Sequence, residues 1–264
     1  RLLPEKLGEE ELHAHFATLP PRYFQIHAAS EIVTDLELAH DFMASQVLAD
    51  DDSALAPAVH WENVPDSGYT QVKVCTWDRS GLFAKIAGSL SACGLTILSA
   101  QVFTRSDAMA LDTFFVADAK TGSLVGNEQR EKFETLLGKV LLKPDTDLHA
   151  LIARQNISRP LFQAYVGEHI PTQIHLDNDA SETRTLIEVE TEDRIGLLYA
   201  IAQTFAELQL DLSAARICTE KGAAVDNFYV HELGGGKILS PERQSAIERR
   251  LRHAIHQLDV QGKA

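Results

Sequence analysis

One short stretch occurs twice in this chain, and the repeat constrains the fold more than any other feature. The first copy is Trp77-Asp78-Arg79-Ser80-Gly81-Leu82, and the second, Glu192-Asp193-Arg194-Ile195-Gly196-Leu197, follows 115 positions later. An alternating apolar pattern precedes each copy, as in a strand with one buried face, and an apolar stripe of helical spacing follows it. Each copy therefore predicts a turn between a strand and a helix.

The correspondence between the two halves continues after the helix. Leu95-Thr96-Ile97 matches Leu210-Asp211-Leu212, and Leu111-Asp112-Thr113-Phe114-Phe115-Val116 matches Val225-Asp226-Asn227-Phe228-Tyr229-Val230. So many matches in the same order are improbable by accident. An internal repeat of this length predicts a duplicated domain.

Apolar spacing and turn residues place the secondary structure of each repeat. The first repeat predicts strands over about 70–77, 95–105 and 108–117 and helices over about 81–93 and 127–142, with a possible edge strand over 59–64 before them. The second predicts a strand over about 184–191, a helix over about 196–208, two strands meeting at Lys221-Gly222, and a last helix with Ser240 as its cap and Pro241 at its first position. These patterns predict an α+β fold of two ferredoxin-like (βαββαβ) domains, each with four antiparallel strands and two helices on one sheet face.

A helical segment precedes the repeats. We predict a segment over 1–55, a first domain over 56–143, an interdomain linker with one helix over 144–181, and a second domain over 182–264. The leading segment predicts a helix over 9–16, a break at Pro20-Pro21, a second helix capped by Ser30, and a solvated loop at Asp50-Asp51-Asp52. These helices have little apolar area, so we expect them to pack on a neighbouring domain.

Composition argues against several classes of partner. The formal charge of −14 opposes phosphate backbones and anionic lipid, so neither nucleic acid nor membrane is expected to bind. No apolar run is long enough to span a bilayer, and the start at Arg1 has neither a signal peptide nor an initiator Met, as expected for a piece of a longer protein. Three scattered cysteines predict free thiols and a cytoplasmic location.

The repeated Asp-Arg-x-Gly-Leu turn, between this strand and this helix, resembles the turn of ACT domains. Two further stretches are similar to the bifunctional uridylyltransferase/uridylyl-removing enzymes that modify the nitrogen-regulatory PII protein. They are Leu19-Pro20-Pro21-Arg22-Tyr23-Phe24 and the lead-in to the second repeat, Pro171-Thr172-Gln173-Ile174 with Leu176-Asp177-Asn178-Asp179-Ala180-Ser181. In order, these matches cover nearly the whole chain and resemble the family's C-terminal ACT pair.

The resemblance implies a regulatory function. It implies that the chain senses an amino acid, with L-glutamine as the expected effector, and controls uridylylation and deuridylylation of PII. The predicted ligand-binding residues are those of the two turns: Asp78, Arg79, Ser80, Gly81, Leu82, Asp193, Arg194, Ile195, Gly196 and Leu197. No catalytic residue, metal ligand or cofactor is predicted in this chain, whereas the parent enzyme's Mg and second divalent metal would belong to catalytic domains outside it. Contact between ACT sheets also implies a possible homodimer.

The turn chemistry suits an amino acid. Glycine allows close approach of a ligand, and the amides of a helix N-terminus attract a carboxylate. Asp78 and Asp193 are expected either to cap their helices or to accept an ammonium group. Many turns of this family have Pro before the Gly, whereas this chain has Ser80 and Ile195, which makes the turn less rigid and its selectivity harder to predict.

Other polar motifs are better explained as surface features. His40-Asp41 lacks the other ligands of a metal-dependent hydrolase, and Asp145-Thr146-Asp147 and Asp177-Asn178-Asp179 lack the Gly-Ser turn of a nucleotidyltransferase. Gly234-Gly235-Gly236-Lys237 lacks the rest of a phosphate-binding loop. The alternatives to an amino-acid sensor are a structural ACT pair that mediates dimerisation or protein contacts without a ligand, an RNA-binding module, and an enzyme acting within these residues.

Overall fold

The computed structural model describes residues 7–48, 56–143, 146–155, 170–220 and 223–261. The helices in this part of the chain are α1 (Glu9–Thr18), α2 (Pro21–Ile26), α3 (Ala29–Leu48), α4 (Leu82–Ala92), α5 (Asn127–Leu142), α6 (Leu148–Ala153), α7 (Leu197–Glu207) and α8 (Pro241–Gln261). The strands are β1 (Ala58–Val64), β2 (Tyr69–Trp77), β3 (Leu95–Thr104), β4 (Met109–Asp118), β5 (Gln173–Asp177), β6 (Thr185–Glu192), β7 (Leu210–Arg216), β8 (Thr219–Glu220) and β9 (Ala223–Glu232).

The described strands form one antiparallel sheet. Its order is β1-β2-β4-β3-β7-β9-β6-β5, and the short β8 pairs with β9. Each half contributes four strands to this order, and the halves join where Gln101 of β3 pairs with Arg216 of β7. The α+β, ferredoxin-like prediction is confirmed, and β1 confirms the predicted edge strand over 59–64 before the first repeat. The matching edge strand of the second half, β5, was not predicted, and it too comes before its repeat.

Helices α4, α5, α7 and α8 cover one face of the sheet. The alternating pattern of the repeats explains this, because Val72, Val74, Ile187 and Val189 lie on that face and are at most 1% exposed. Helix α4 packs directly on α7. One hydrophobic core therefore runs through both halves of the protein.

The N-terminal helices cover the opposite face of the first half. Tyr23, Leu38 and Phe42 pack against the back of the sheet at Cys75 and Met109. A buried ion pair joins the same layers, because Lys73 Nζ of β2 lies 2.7 Å from Asp35 Oδ1 of α3. The expectation that these helices pack on a neighbouring domain is confirmed.

The corresponding face of the second half carries polar side chains. Glu188 and Glu190 of β6 are exposed there, at the positions matching Lys73 and Cys75 of β2. Arg22 reaches across from α2, with its guanidinium carbon 5.9 Å from the centre of the Tyr229 ring. The two halves thus share a fold but differ in how their second faces are covered.

One predicted cap, Ser30, is wrong. Helix α3 begins at Ala29, so Ser30 lies inside its first turn, and the Glu31 carboxylate accepts the Ala28 N–H at 2.8 Å instead. Helix α2, which the sequence prediction missed, begins at Pro21, since proline suits a first helical position. In α8, by contrast, Ser240 Oγ accepts the Arg243 N–H at 3.3 Å as predicted.

Helix α5 has the predicted bounds. Asn127 is its first residue, and Gly126 occupies the cap, where its N–H donates to Gln129 Oε1 at 3.3 Å. The predicted range of the helix, 127–142, is confirmed.

The segment assigned to the interdomain linker is partly ordered structure. Helix α6 confirms the predicted linker helix, and β5, which also lies within 144–181, pairs with β6 as the outer edge of the second half. The predicted loop at Asp50-Asp51-Asp52 and the turn at Lys221-Gly222 lie outside the described residues. None of the helices in the described ranges has the length and apolar character to cross a bilayer. Cys75 is buried, and all three cysteines are free thiols.

Candidate ligand sites at the junction of the two halves

The two repeated turns have the same backbone geometry. Gly81 and Gly196 immediately precede α4 and α7 and adopt left-handed conformations, with φ of 73° and 81°. Glycine is the residue that adopts these angles without a steric penalty. Neither helix has a side-chain cap, so the capping role considered for Asp78 and Asp193 is wrong. The glycine occupies the cap position, and each aspartate lies three residues before it.

Both aspartates instead hydrogen-bond within their own domain. Asp193 Oδ2 accepts the Thr219 hydroxyl at 3.0 Å, and Asp78 is hydrogen-bonded to Thr104. Thr104 and Thr219 occupy matching positions 115 residues apart. The repeat therefore reproduces side-chain contacts as well as backbone geometry.

Each turn opens into a cleft whose far wall belongs to the other half of the protein. The first cleft lies between the first turn and the end of α7 with the start of β7, where Ala206 and Asp211 line it. The second lies between the second turn and the end of α4 with the start of β3, where Ser91 and Thr96 line it. The α4–α7 packing places the two clefts in a pseudo-twofold arrangement.

A buried carboxyl group lies in each cleft. Asp112 of β4 lines the first and Asp226 of β9 lines the second, and each is 2% exposed. Asp226 Oδ1 accepts the Cys218 N–H at 3.3 Å, and Asp112 accepts the matching Phe103 N–H. Asp112 Oδ1 has no hydrogen-bond partner among the described residues. A buried acceptor without a partner is costly, which is the pattern expected where a ligand donates the missing bond.

Burial makes both carboxyl groups hard to ionise. Desolvation, followed by the charge of Asp78, raises the pKa of Asp112 well above its usual range. Desolvation, together with the charge of Asp193, raises the pKa of Asp226 to about 8. The pKa of Asp78 at the rim is also raised, by desolvation and by the Asp211 carboxylate across the cleft. A cationic group entering either cleft would favour the ionised carboxylates.

The predicted turn residues are only partly brought together. Asp78, Arg79, Gly81 and Leu82 line the first cleft, and Asp193, Arg194, Gly196 and Leu197 line the second. Ser80 and Ile195, at the position where many family turns have Pro, line neither cleft.

The guanidinium of Arg79 is used by the protein's own acceptors. It donates to the carbonyl oxygens of Trp77 and Leu141 and to the Thr76 hydroxyl, each at 3.3 Å. Desolvation lowers the pKa of Arg79. These contacts hold the turn against the end of α5 and leave the carboxylates as the main polar groups facing the first cleft.

Asp112 and Asp226 were missed as site residues in the sequence prediction. A signal was present, because each is a charged residue within an otherwise apolar strand and the repeat conserves its position in both halves. A buried charge at matching positions indicates a shared chemical role. The far-wall residues Thr96 and Asp211 also occupy matching positions, but only the packing of the two halves shows that they face the clefts.

Helix α6 distinguishes the second turn from the first. A Cβ atom placed on Gly196 would lie 3.0 Å from Ile152 Cγ2, so α6 packs closely on this turn. At Gly81 the nearest atom to such a Cβ would be Ala206 Cβ, at 3.6 Å. Asp193 is 7% exposed, whereas Asp78 is exposed to solvent. The second turn is therefore more closely covered by its neighbours than the first.

Comparison with known proteins agrees with this architecture. Residues 173–261 match the family model of the ACR9-like, ACT-like domain. The bifunctional uridylyltransferase/uridylyl-removing enzyme of Azospirillum brasilense is 36% identical over 70% of this chain and 20% of its own length. The enzyme of the same name from Rhodospirillum rubrum is 32% identical over 94% of this chain and 27% of its own length. The enzyme of that name from Gluconobacter oxydans is 33% identical over 83% of this chain and 22% of its own length.

The chain thus spans about a fifth to a quarter of the length of these curated relatives. A solved structure of aspartate kinase from Synechocystis covers 72% of the chain with 12% identity, but its TM-score of 0.38 is too low to establish a common fold. The match to the curated enzymes runs through both repeats and confirms the resemblance on which the turns were interpreted. The chain therefore belongs to the ACT-domain region of the bifunctional uridylyltransferase/uridylyl-removing enzyme family.

Proposed function

We propose that this chain is a regulatory amino-acid-sensing region, with L-glutamine as the first candidate effector. The observation that carries the proposal is the pair of clefts between the two halves of the protein, each with a buried carboxyl group, Asp112 in the first and Asp226 in the second. Each cleft combines this acid with the start of a helix. A free amino acid has the complementary groups, an ammonium and a carboxylate on one carbon.

The expected orientation of the amino acid follows from the groups in the cleft. Gly81, Phe83 and Ala84 line it at the start of α4, where backbone amides and the helix dipole attract the ligand's carboxylate. Asp78 and Asp112 then face the ammonium group. The ligand side chain points toward the wall formed by the other half.

Contact with both halves gives such a ligand a regulatory effect. An effector shifts a conformational equilibrium only if it binds one arrangement more tightly than another. An amino acid between the first turn and β7 favours the arrangement that brings those elements together. The turn ends β2, and β2 also carries Lys73, which anchors the N-terminal helices through Asp35. The leading helices are therefore the proposed route from the cleft to the rest of a longer protein.

In that longer protein, we propose that the effector controls uridylylation and deuridylylation of PII. The proposal rests on the names of the curated relatives, whose activity would require segments beyond the part matched here. A structural ACT pair that mediates dimerisation without a ligand is the competing function. The two halves already pair within one chain through β3 and β7, while β1 and β5 are the outer strands.

Calorimetry and thermal shift with the twenty amino acids, L-glutamine first, test the sensor. We expect saturable binding to the wild type. We expect that binding to be lost in one of the two glycine variants, Gly81→Val or Gly196→Val, and in one of the two aspartate variants, Asp112→Asn or Asp226→Asn. The two glycine variants test whether the ligand comes close to the backbone of the turn. The two Asn variants remove the ionisable carboxyl group with little change in side-chain volume. Circular dichroism of each variant separates loss of binding from loss of folding.

Two results would contradict the sensor. One is the absence of binding by any amino acid to folded wild type, which favours the structural pair. The other is binding that all four variants retain, because it would place the ligand away from both clefts.

A further inference from the structure

The two clefts differ in charge at one pair of matching positions. Asp211 of β7 lies on the far wall of the first cleft, and Thr96 of β3, 115 residues earlier, lies on the far wall of the second. Each turn contributes one Arg and one Asp to its cleft, and the buried strand residue, Asp112 or Asp226, contributes a second carboxyl group. The lining of the first cleft therefore contains three carboxyl groups and one guanidinium, whereas the lining of the second contains two carboxyl groups and one guanidinium.

The charge of Asp211 acts within the first cleft. It contributes to the raised pKa of Asp78 on the opposite wall, so the two carboxylates interact across the space between the halves. The Asp211 carboxylate is 47% exposed, and its Oδ2 lies 3.6 Å from His231 Nε2. It is thus available at the rim, while Asp112 provides the buried end of the same cleft with an unpartnered oxygen.

The second cleft has neutral donors and acceptors at the equivalent places. Ser91 and Thr96 present hydroxyl groups where the first cleft has Ala206 and Asp211. Hydroxyl groups hydrogen-bond a neutral amide without favouring either sign of charge. A ligand side chain lying against this wall would be selected for polarity and not for charge.

We propose that the first cleft is specific for an amino acid with a cationic side chain and that Asp211 determines this specificity. The second cleft takes a neutral amino acid such as L-glutamine, with its side chain against Ser91 and Thr96. This inference rests on the proposed sensing function and extends it to two ligand classes. The protein would then respond to two amino acids through the junction of its two halves.

L-Arginine and L-citrulline are the sharpest probes, because they have nearly the same shape and differ in side-chain charge. We expect the wild type to bind L-arginine more tightly than L-citrulline by roughly two- to fivefold, the range of an exposed ion pair. The preference should decrease in 1 M salt, where the Debye length is about 3 Å. Asp211→Thr, which installs the residue of the second cleft, should abolish the preference.

The variants separate this inference from the sensing function. Asp66→Asn, at an exposed turn outside both clefts, removes one negative charge and should leave the preference intact. Gly81→Val should abolish L-arginine binding while L-glutamine still binds. Equal binding of L-arginine and L-citrulline, or a preference that survives Asp211→Thr, would overturn the inference. If L-glutamine binds and L-arginine and L-citrulline do not, the inference fails and the proposed sensing function stands. If none of the twenty amino acids and no L-citrulline binds, the inference and the sensing function both fail.

Discussion

Lys73 of β2 and Asp35 of α3 form a buried ion pair, with Nζ and Oδ1 2.7 Å apart and both side chains at most 4% exposed. The Tyr23 hydroxyl donates to the other oxygen of Asp35 at 2.5 Å, and His15 Nε2 lies 3.3 Å from that hydroxyl. Helices α2 and α3 and strand β2 therefore meet at one carboxylate on the back of the sheet, and α1 joins them through the Tyr23 hydroxyl. The network fixes where the N-terminal segment docks on the first half.

Asp35→Leu should strongly destabilise the protein. It leaves the Lys73 ammonium buried without its partner, which typically costs about 3 to 5 kcal/mol. Urea unfolding followed by circular dichroism measures the loss. The double variant Asp35→Leu/Lys73→Met should recover most of the lost free energy of unfolding, because no buried charge remains. A double variant as unstable as Asp35→Leu alone would show that the pair itself provides little of the effect.

Gly88→Ala should weaken the packing of the two halves. A Cβ on Gly88 of α4 would lie 2.7 Å from Tyr199 Cδ2 of α7 and 2.9 Å from Leu148 Cδ1 of α6. Overpacking of this kind typically costs about 1 to 3 kcal/mol. Gly138→Ala is the matched control, since it also lies within a helix and nothing is within 4 Å of its added methyl. We expect the control to raise the free energy of unfolding by up to about 1 kcal/mol; destabilisation by both variants would contradict the packing argument.

Asp226→Asn should change how stability depends on pH. The pKa of Asp226 is raised from 3.8 to about 8, so between these values the folded state holds a proton that the unfolded state has released. Stability of the wild type should therefore fall as pH rises through this window, with a contribution of at most about 1.4 kcal/mol per pH unit from this group. Urea unfolding at pH 5, 6, 7 and 8 tests this.

The Asn variant lacks that contribution, so its stability should decline less over the same pH range. Asp179→Asn, at an exposed position, is the control and should reproduce the wild-type slope. Identical slopes for wild type and Asp226→Asn would show that the buried carboxyl is not proton-linked to folding.

Binding of an ammonium group in the first cleft should release a proton. The pKa of Asp112 is raised by burial and by Asp78, while Asp211 and Arg79 are the other charged groups lining the cleft. An ammonium favours the ionised Asp112, so affinity should increase with pH below the raised pKa. Calorimetry in two buffers of different ionisation enthalpy measures the proton count. Asp112→Asn should bind weakly and without proton release; wild-type heats that are equal in both buffers would rule out this linkage.

Local patterns determined much of the fold. The strand before each turn, the glycine in it and the helix after it follow from periodicity and from the conformational freedom of glycine, and the structure has them in both halves. The cap of α3 was predicted wrongly because the prediction used side-chain preference alone, whereas the Glu31 carboxylate inside the first turn binds the leading amide. The edge strand β5 shows the same limit, since its pairing with β6 and not its own sequence makes it part of the sheet.

By itself the sequence determined a duplicated strand–turn–helix unit, because periodicity, glycine and the repeat are local properties of the chain. Only the tertiary structure decided that each turn faces the other half, since Gln101–Arg216 pairing and α4–α7 packing join residues distant in sequence. That packing buries Asp112 and Asp226, puts Asp211 in one cleft and Thr96 in the other, and so makes two similar turns chemically different. Burial and the charge of a distant neighbour create this difference, and neither is a property of the turn sequence.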